Sequence, residues 1–201
     1  MAPSATKAST AAWRATAPRP SPPQAFRKNE VEKSVECFDR VLELSPASYP
    51  YLWQRGLSLY YVGEFERGAK QFRDDVAVNP NDTEEAIWAW LCEAQVAGPE
   101  AATAAMLRVG RDPRPVMRAA YEVFSGRGGP EDILAAGGTD PQGKDRFYAL
   151  LYHALWMEGH GDAAAARESM VAAVATRYAR GSGDYMADLA RVHVARRGWD
   201  A

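Results

Sequence analysis

Two prolines, Pro46 and Pro80, lie 34 residues apart, and each closes a stretch of helical character. Proline lacks an amide hydrogen and restricts the residue before it, so it ends a helix. The residues that precede each proline also correspond at this period, with Ser34, Phe38 and Val41 standing where Gly68, Phe72 and Asp75 stand later. A unit of this length cannot bury its apolar face alone, so it stacks on a copy of itself. The period predicts stacked helical pairs.

Glycines inside this unit indicate how closely the helices approach each other. Gly56 and Gly68 fall within predicted helices, where glycine costs roughly 0.5 to 1 kcal/mol relative to alanine. Such residues imply that a large side chain of the neighbouring helix needs the space. Gly63 differs because it ends the first helix of the pair, where a left-handed residue is favourable.

The segment PYLWQRGLSLYYVGEFERGAKQFRDDVAVNP resembles the tetratricopeptide repeat at its small and aromatic positions, Gly56, Tyr60, Gly63, Phe65, Gly68 and Phe72. The resemblance is specific for residues 31–80, weaker to about residue 109, and architectural beyond that. It implies an all-α, tetratricopeptide-like helical-hairpin solenoid with degenerate C-terminal repeats. Two regions are expected: residues 1–29 as an arm and residues 30–201 as the repeat domain.

Helices are predicted along the whole chain after the arm, because apolar residues recur at helical spacing and no alternating strand pattern occurs. The predicted ranges are 28–44, 48–62, 65–78, 83–97, 99–109, 114–125, 130–136, 144–159, 162–178 and 183–197. The last helix carries its apolar side chains on one face and resembles a terminal cap of a repeat array.

Residues 1–29 contain no Asp or Glu, but they contain Lys7, Arg14, Arg19, Arg27, Lys28 and five prolines. This composition is typical of an organellar transit segment. The alternative is an extended arm that lies on a partner subunit, with Trp13 and Phe26 as its anchors. No apolar run reaches the roughly 18 residues that span a bilayer, so no transmembrane anchor is expected.

The overall charge argues against a nucleic-acid-binding protein, and the placement of the cysteines argues against a cysteine metal site. The formal charge of −2 gives no basic face for nucleic acid, which must displace counterions from phosphates. The two cysteines, Cys37 and Cys92, are not spaced as metal ligands, and the sequence predicts two buried, reduced thiols.

No cofactor or metal site is expected. Gly138, Gly143 and Lys144 stand at P-loop spacing, but Asp145 occupies the position that needs Ser or Thr for magnesium. The histidines His153, His160 and His193, with Glu158, match no metal-ligand spacing. The acidic pairs Asp74–Asp75 and Glu84–Glu85 are interpreted as solvated helix faces, so no catalytic residues are predicted.

The first helix of each tetratricopeptide pair lines the concave side of the array. This arrangement predicts an aromatic and apolar groove with these partner-binding residues: Trp53, Leu57, Tyr60, Tyr61, Ile87, Trp88 and Leu91. Such a lining suits a partner helix or an extended apolar segment. Some tetratricopeptide proteins hold a chaperone's acidic C-terminus with lysine and asparagine, and the corresponding positions here are Trp53 and Leu57. The alternative is that Trp53, Trp88 and Trp90 lie in the core between pairs.

The run LWQRGLSLYYVGEFERGAKQFRDDVAVNPNDTEEAIW, followed by RDPRPVM, resembles tetratricopeptide-like proteins of plants and algae, several with plastid-type leaders. That resemblance implies the stromal side of the chloroplast, with the mitochondrion as the alternative. The expected function is a non-catalytic interaction scaffold or assembly subunit of a larger organellar complex, such as a photosynthetic membrane complex. Its partners would be protein subunits. The alternative is a helical-repeat factor in organellar RNA processing or translation.

Overall fold

The computed structural model describes residues 21–199, and every regular element in that range is helical. The α-helices are α1 (Pro22–Arg27), α2 (Val31–Leu44), α3 (Trp53–Tyr61), α4 (Phe65–Val78), α5 (Thr83–Ala97), α6 (Pro99–Ala104), α7 (Pro115–Phe124), α8 (Pro130–Ala135), α9 (Lys144–Gly159), α10 (Ala163–Ala175), α11 (Arg177–Gly181) and α12 (Tyr185–Arg197). A 3₁₀ segment, Pro46–Tyr51, precedes α3. The all-α prediction is confirmed for the described residues.

Local residues set many of the helix starts. Aspartates cap three helices, since Asp82, Asp162 and Asp184 each accept hydrogen bonds from backbone amides of the first turn. Prolines occupy the first turn of α6, α7 and α8, where the missing amide hydrogen costs nothing. Gly63 has a φ of 82° after α3, which confirms the predicted left-handed end of that helix.

Apart from shifts of up to three residues at other helix ends, the predicted helices differ from the observed ones at three places. Residues 46–51 form a 3₁₀ segment that contains Pro50, so α3 starts later than expected. The predicted helix over 99–109 ends at Ala104. The predicted helix over 162–178 is interrupted at Thr176, whose extended backbone and side chain cap the separate helix α11.

The glycines of the repeat unit allow close helix contacts, as predicted. A Cβ atom at Gly56 would lie 2.6 Å from Cζ of Phe72, so α3 lies directly against the ring of α4. A Cβ atom at Gly68 would lie 2.9 Å from Sγ of Cys92, which is buried on α5. These two contacts hold α3, α4 and α5 together as consecutive packed helices.

The two ends of the described chain meet. Helix α12 packs against α10 and also against α1. The Tyr61 hydroxyl on α3 lies 2.9 Å from Nδ1 of His193 on α12, and Arg196 donates to Glu32 on α2 at 2.6 Å. Units of a linear array contact only their neighbours. The contacts of α12 with the first helices instead bring the two ends of the described chain together.

The prediction that the arm extends to residue 29 is wrong, because residues 21–29 belong to the folded part of the chain. Pro22–Arg27 form α1, and Phe26 is fully buried against Tyr61 and Tyr185 of the same chain. Arg27 forms an ion pair with Asp188 at 3.0 Å, also within the chain. Phe26 is therefore a core residue, which corrects its predicted role as an anchor on another subunit. Trp13 and the rest of residues 1–20 lie outside the described residues.

Within residues 21–199, no helix has both the length and the apolar character needed to cross a membrane.

Candidate functional site

The residues predicted to line an exposed groove lie mostly in the core. Their exposed fractions are 6% or less at Leu57, Tyr60, Tyr61, Ile87, Trp88 and Leu91, whereas Trp53 is half-buried. The prediction of an exposed surface is therefore wrong for those six side chains. The physical reason is that other helices cover both elements: α3 packs against α2, α4 and α5, and α5 packs against α4, α7 and α9. The alternative is confirmed for Trp88 and Trp90, which are buried.

A cavity of about 330 Å³ opens in the interior that the helices surround. Its walls come from both halves of the chain: Trp53, Leu57, Phe72, Asp82, Glu84, Glu85, Trp88, Arg114, Tyr148, Asp184, Tyr185 and Met186. We call it the central cavity. Three of the predicted groove residues, Trp53, Leu57 and Trp88, contribute to it. Tyr60, Tyr61, Ile87 and Leu91 are not among its lining residues.

Aromatic rings form much of the wall. Trp53 meets Tyr185 edge to face with ring centroids 5.2 Å apart, and Phe72 stacks near Trp88 at 6.3 Å. The indole nitrogen of Trp88 is buried and has no hydrogen-bond acceptor among the described residues. A buried donor without an acceptor costs about 1 to 3 kcal/mol. This cost belongs to the buried core, because the nitrogen itself is not exposed to the cavity.

Arg114, in the wall of the central cavity, forms ion pairs with two carboxylates. Its Nη1 donates to Oε1 of Glu84 at 2.6 Å, and its Nε and Nη2 donate to the carboxylate of Asp112 at 3.0 and 2.7 Å. The Tyr152 hydroxyl donates to the other oxygen of Glu84 at 2.8 Å. Burial raises the pKa of Glu84, and Arg114 opposes that effect. The guanidinium is thus held between two carboxylates.

Asp184 is a second fixed carboxylate of the central cavity. It caps α12, and its Oδ2 accepts hydrogen bonds from Tyr148 at 2.9 Å and Tyr178 at 2.6 Å. Burial alone would raise the pKa of Asp184, but hydrogen bonds from Tyr178, the Met186 amide and Tyr148 lower it. Asp184 is therefore ionised at neutral pH.

Asp75 and Glu85 form a buried carboxyl pair, which corrects their interpretation as solvated residues. Their exposed fractions are 3% and 6%, and Oδ2 of Asp75 and Oε2 of Glu85 have no donor among the described groups. Burial, together with the nearby carboxyl groups of Asp75, Asp82 and Glu84, raises the pKa of Glu85 far above its usual range. We expect the Asp75–Glu85 pair to share a proton, which would give both oxygens a hydrogen-bond partner.

This shared proton makes stability depend on pH. Because the folded-state pKa of Glu85 lies above its unfolded value of about 4.3, the folded protein holds a proton that the unfolded chain releases. The free energy of unfolding should then fall as pH rises from that value toward the folded-state pKa. Replacing Glu85 with glutamine, which donates without titrating, should flatten the fall between about pH 5 and pH 9 in urea denaturation series.

The exposed Glu36 on α2 provides the control for this experiment. Glu36→Gln should keep the pH dependence of the wild type. A Glu85→Gln protein with the wild-type slope would show that Asp75 and Glu85 do not share a proton.

The remaining sequence candidates hold structural positions. Gly143 and Lys144 begin α9, and no strand precedes them in the described range. His193 is buried between Tyr61 and Glu158, whose Oε2 lies 3.3 Å from Nε2. Burial, with a smaller effect of Arg197, lowers the pKa of His193 to about 3, so the ring is neutral. Residues 21–199 contain no group of three or more His, Cys, Asp or Glu side chains placed to hold a metal ion.

Sequence reasoning missed the charged part of the central cavity. Arg114 follows Asp112 in the segment RDPRPVM, and that short charged motif before a proline was the available local signal. No local pattern places Tyr148 and Asp184 at the cavity, because the packing of α9 and α12 against distant helices brings them there. A comparison with protein-family models finds none that matches this chain.

Proposed function

We propose that this protein is a non-catalytic interaction scaffold of the tetratricopeptide-like type, and that its central cavity holds part of a partner protein. The observation that supports this function most is the set of aromatic and apolar side chains from α3 and α5 that line the central cavity, namely Trp53, Leu57 and Trp88. Aromatic residues in concave, partly desolvated sites are the usual anchors of protein interfaces. The Gly56 and Gly68 contacts are what a tetratricopeptide register requires.

We further propose that the partner belongs to an organellar complex, with a photosynthetic membrane complex on the stromal side of the chloroplast as the host. This part rests on the acid-free composition of residues 1–29 and on the resemblance to plastid-type tetratricopeptide-like proteins. A role in RNA binding is less favoured, because the central cavity contains carboxylates that repel phosphate groups.

A Trp53→Ala variant tests the proposal. Trp53 is half-buried and lines the cavity, so its loss should weaken partner binding about tenfold while most of the fold survives. Partners are first captured from detergent-solubilised chloroplast membranes and identified by peptide sequencing. Their affinity for wild-type and variant protein is then measured by calorimetry.

Trp156 provides the matched control, because it is also half-buried but lies on α9 outside the central cavity. Trp156→Ala should bind the partner as the wild type does. Equal affinities of Trp53→Ala and the wild type would place the partner elsewhere on the surface. Failure of the wild-type protein to capture any partner would contradict the scaffold function itself.

A further inference from the structure

The central cavity has more negative than positive groups in its wall. The carboxyl groups of Asp82, Glu84 and Asp184 line it, against one guanidinium, that of Arg114. Glu85 also lines it, but its raised pKa keeps it protonated at neutral pH. Arg114 already forms ion pairs with Glu84 in the wall and with Asp112 behind it, so this cation is not available to a ligand carboxylate.

Two of the carboxylates receive only hydrogen bonds from neutral groups. Asp82 accepts from the backbone amides of Glu84 and Glu85 and from the Asn79 side chain. Asp184 accepts from two tyrosine hydroxyls and one backbone amide. Lys144 lies near this end of the cavity, with its Nζ 5.7 Å from the centre of the Tyr148 ring, and offsets part of the charge of Asp184. Asp82 has no such cation in the wall.

We propose that the central cavity binds a basic side chain, an arginine or a lysine, presented by a segment of the partner protein. This inference rests on the proposed function and names the chemistry of its site. A guanidinium or ammonium group is attracted both by carboxylates and by the faces of aromatic rings, and the wall combines these features.

The size of the cavity limits the ligand to one side chain with its adjoining backbone. A volume of about 330 Å³ lies at the lower end of the range of about 300 to 1,000 Å³ that small-molecule sites occupy. A whole helix does not fit in such a space. The partner segment therefore inserts a single long side chain between Trp53, Tyr185 and the carboxylate of Asp82.

The test uses capped amino acids as probes of the purified protein. N-acetyl-argininamide and N-acetyl-lysinamide carry the cation, and N-acetyl-citrullinamide has nearly the shape of the arginine probe without its charge. Binding is followed by the indole NMR resonances of Trp53 and Trp88, assigned with Trp53→Phe and Trp88→Phe variants. Probes of this size should bind with dissociation constants of about 1 mM, and the citrulline probe about tenfold more weakly.

Two matched variants test whether the carboxylate of Asp82 contributes to binding of the arginine probe. Asp82→Asn removes the charge but keeps a residue that caps a helix well, and it should weaken the arginine probe about fivefold. Asp162→Asn makes the same change at the cap of α10, which is outside the central cavity, and should leave the affinity unchanged.

Equal affinity for the citrulline and arginine probes, or an Asp82→Asn protein that binds like the wild type, would overturn the proposal. Binding of spermidine in the cavity without binding of either capped amino acid would also overturn it, because the occupant would then be a free amine. These outcomes are separate from the scaffold test. A protein that captures its partner through Trp53 but does not distinguish arginine from citrulline keeps the proposed function and loses this inference.

Discussion

Replacing Phe26 with alanine is expected to lower the free energy of unfolding by about 3 to 5 kcal/mol. The side chain is fully buried, stacks on Tyr185 with ring centroids 5.4 Å apart and lies 5.7 Å from the ring of Tyr61. It therefore joins α1 to α3 and α12, where the two ends of the described chain meet. The cavity left by its removal would be lined by large rings that have little room to collapse. Urea denaturation followed by circular dichroism measures the loss.

Tyr51 offers an aromatic control, because 65% of its surface is exposed on the 3₁₀ segment. Tyr51→Ala should change the free energy of unfolding by no more than about 0.5 kcal/mol. If Phe26→Ala costs as little as Tyr51→Ala, then α1 does not belong to the folded core, and the arm would extend to residue 29 after all.

Helix bounds follow from the sequence where local residues set them. The predicted ranges 65–78, 83–97 and 144–159 agree with α4, α5 and α9. Each of these helices has a nearby signal: Pro80 follows α4, Asp82 caps α5 and Gly143 precedes α9. Such signals act within one helical turn and do not depend on the rest of the fold.

Helix α1 does not follow from the composition of residues 1–29, which is typical of an extended arm. Pro22 and Pro23 belong to that composition, yet prolines in the first turn are favourable for a helix. What holds α1 in place is Phe26, whose partners Tyr61 and Tyr185 lie far away in the sequence. A six-residue helix is not stable alone, so its existence depends on that distant packing.

The charged side of the central cavity could not be predicted for the same reason. Arg114 reaches Glu84 across 30 residues, and Tyr152 reaches the same carboxylate across 68. The burial of Glu85 had one usable signal, since the first three turns of α5 are apolar around most of their circumference. A helix that is apolar on all sides is buried, and a carboxyl group within it must find a partner.

Enlarging Gly56 to leucine is expected to cost about 1 to 3 kcal/mol, because the added side chain has no space between α3 and α4. Even a Cβ atom at this position would lie 2.6 Å from the ring of Phe72, which is itself fully buried and cannot move to solvent. Gly183→Ala provides the control, since a Cβ atom there meets no other atom within 4 Å and the backbone is not left-handed.

The Gly56 substitutions could destabilise the protein through overpacking or through the loss of glycine's backbone freedom. A compensating change at Phe72 distinguishes these two causes. In the Gly56→Ala background, Phe72→Leu shortens the side chain that the new Cβ atom meets, so the double variant should cost less than the sum of the two single changes. Thermal and urea denaturation of the four proteins give this coupling free energy directly. If the two changes are additive and Gly56→Leu melts with the wild type, then α3 and α4 do not pack through Gly56, and the tetratricopeptide register that places this glycine against Phe72 fails.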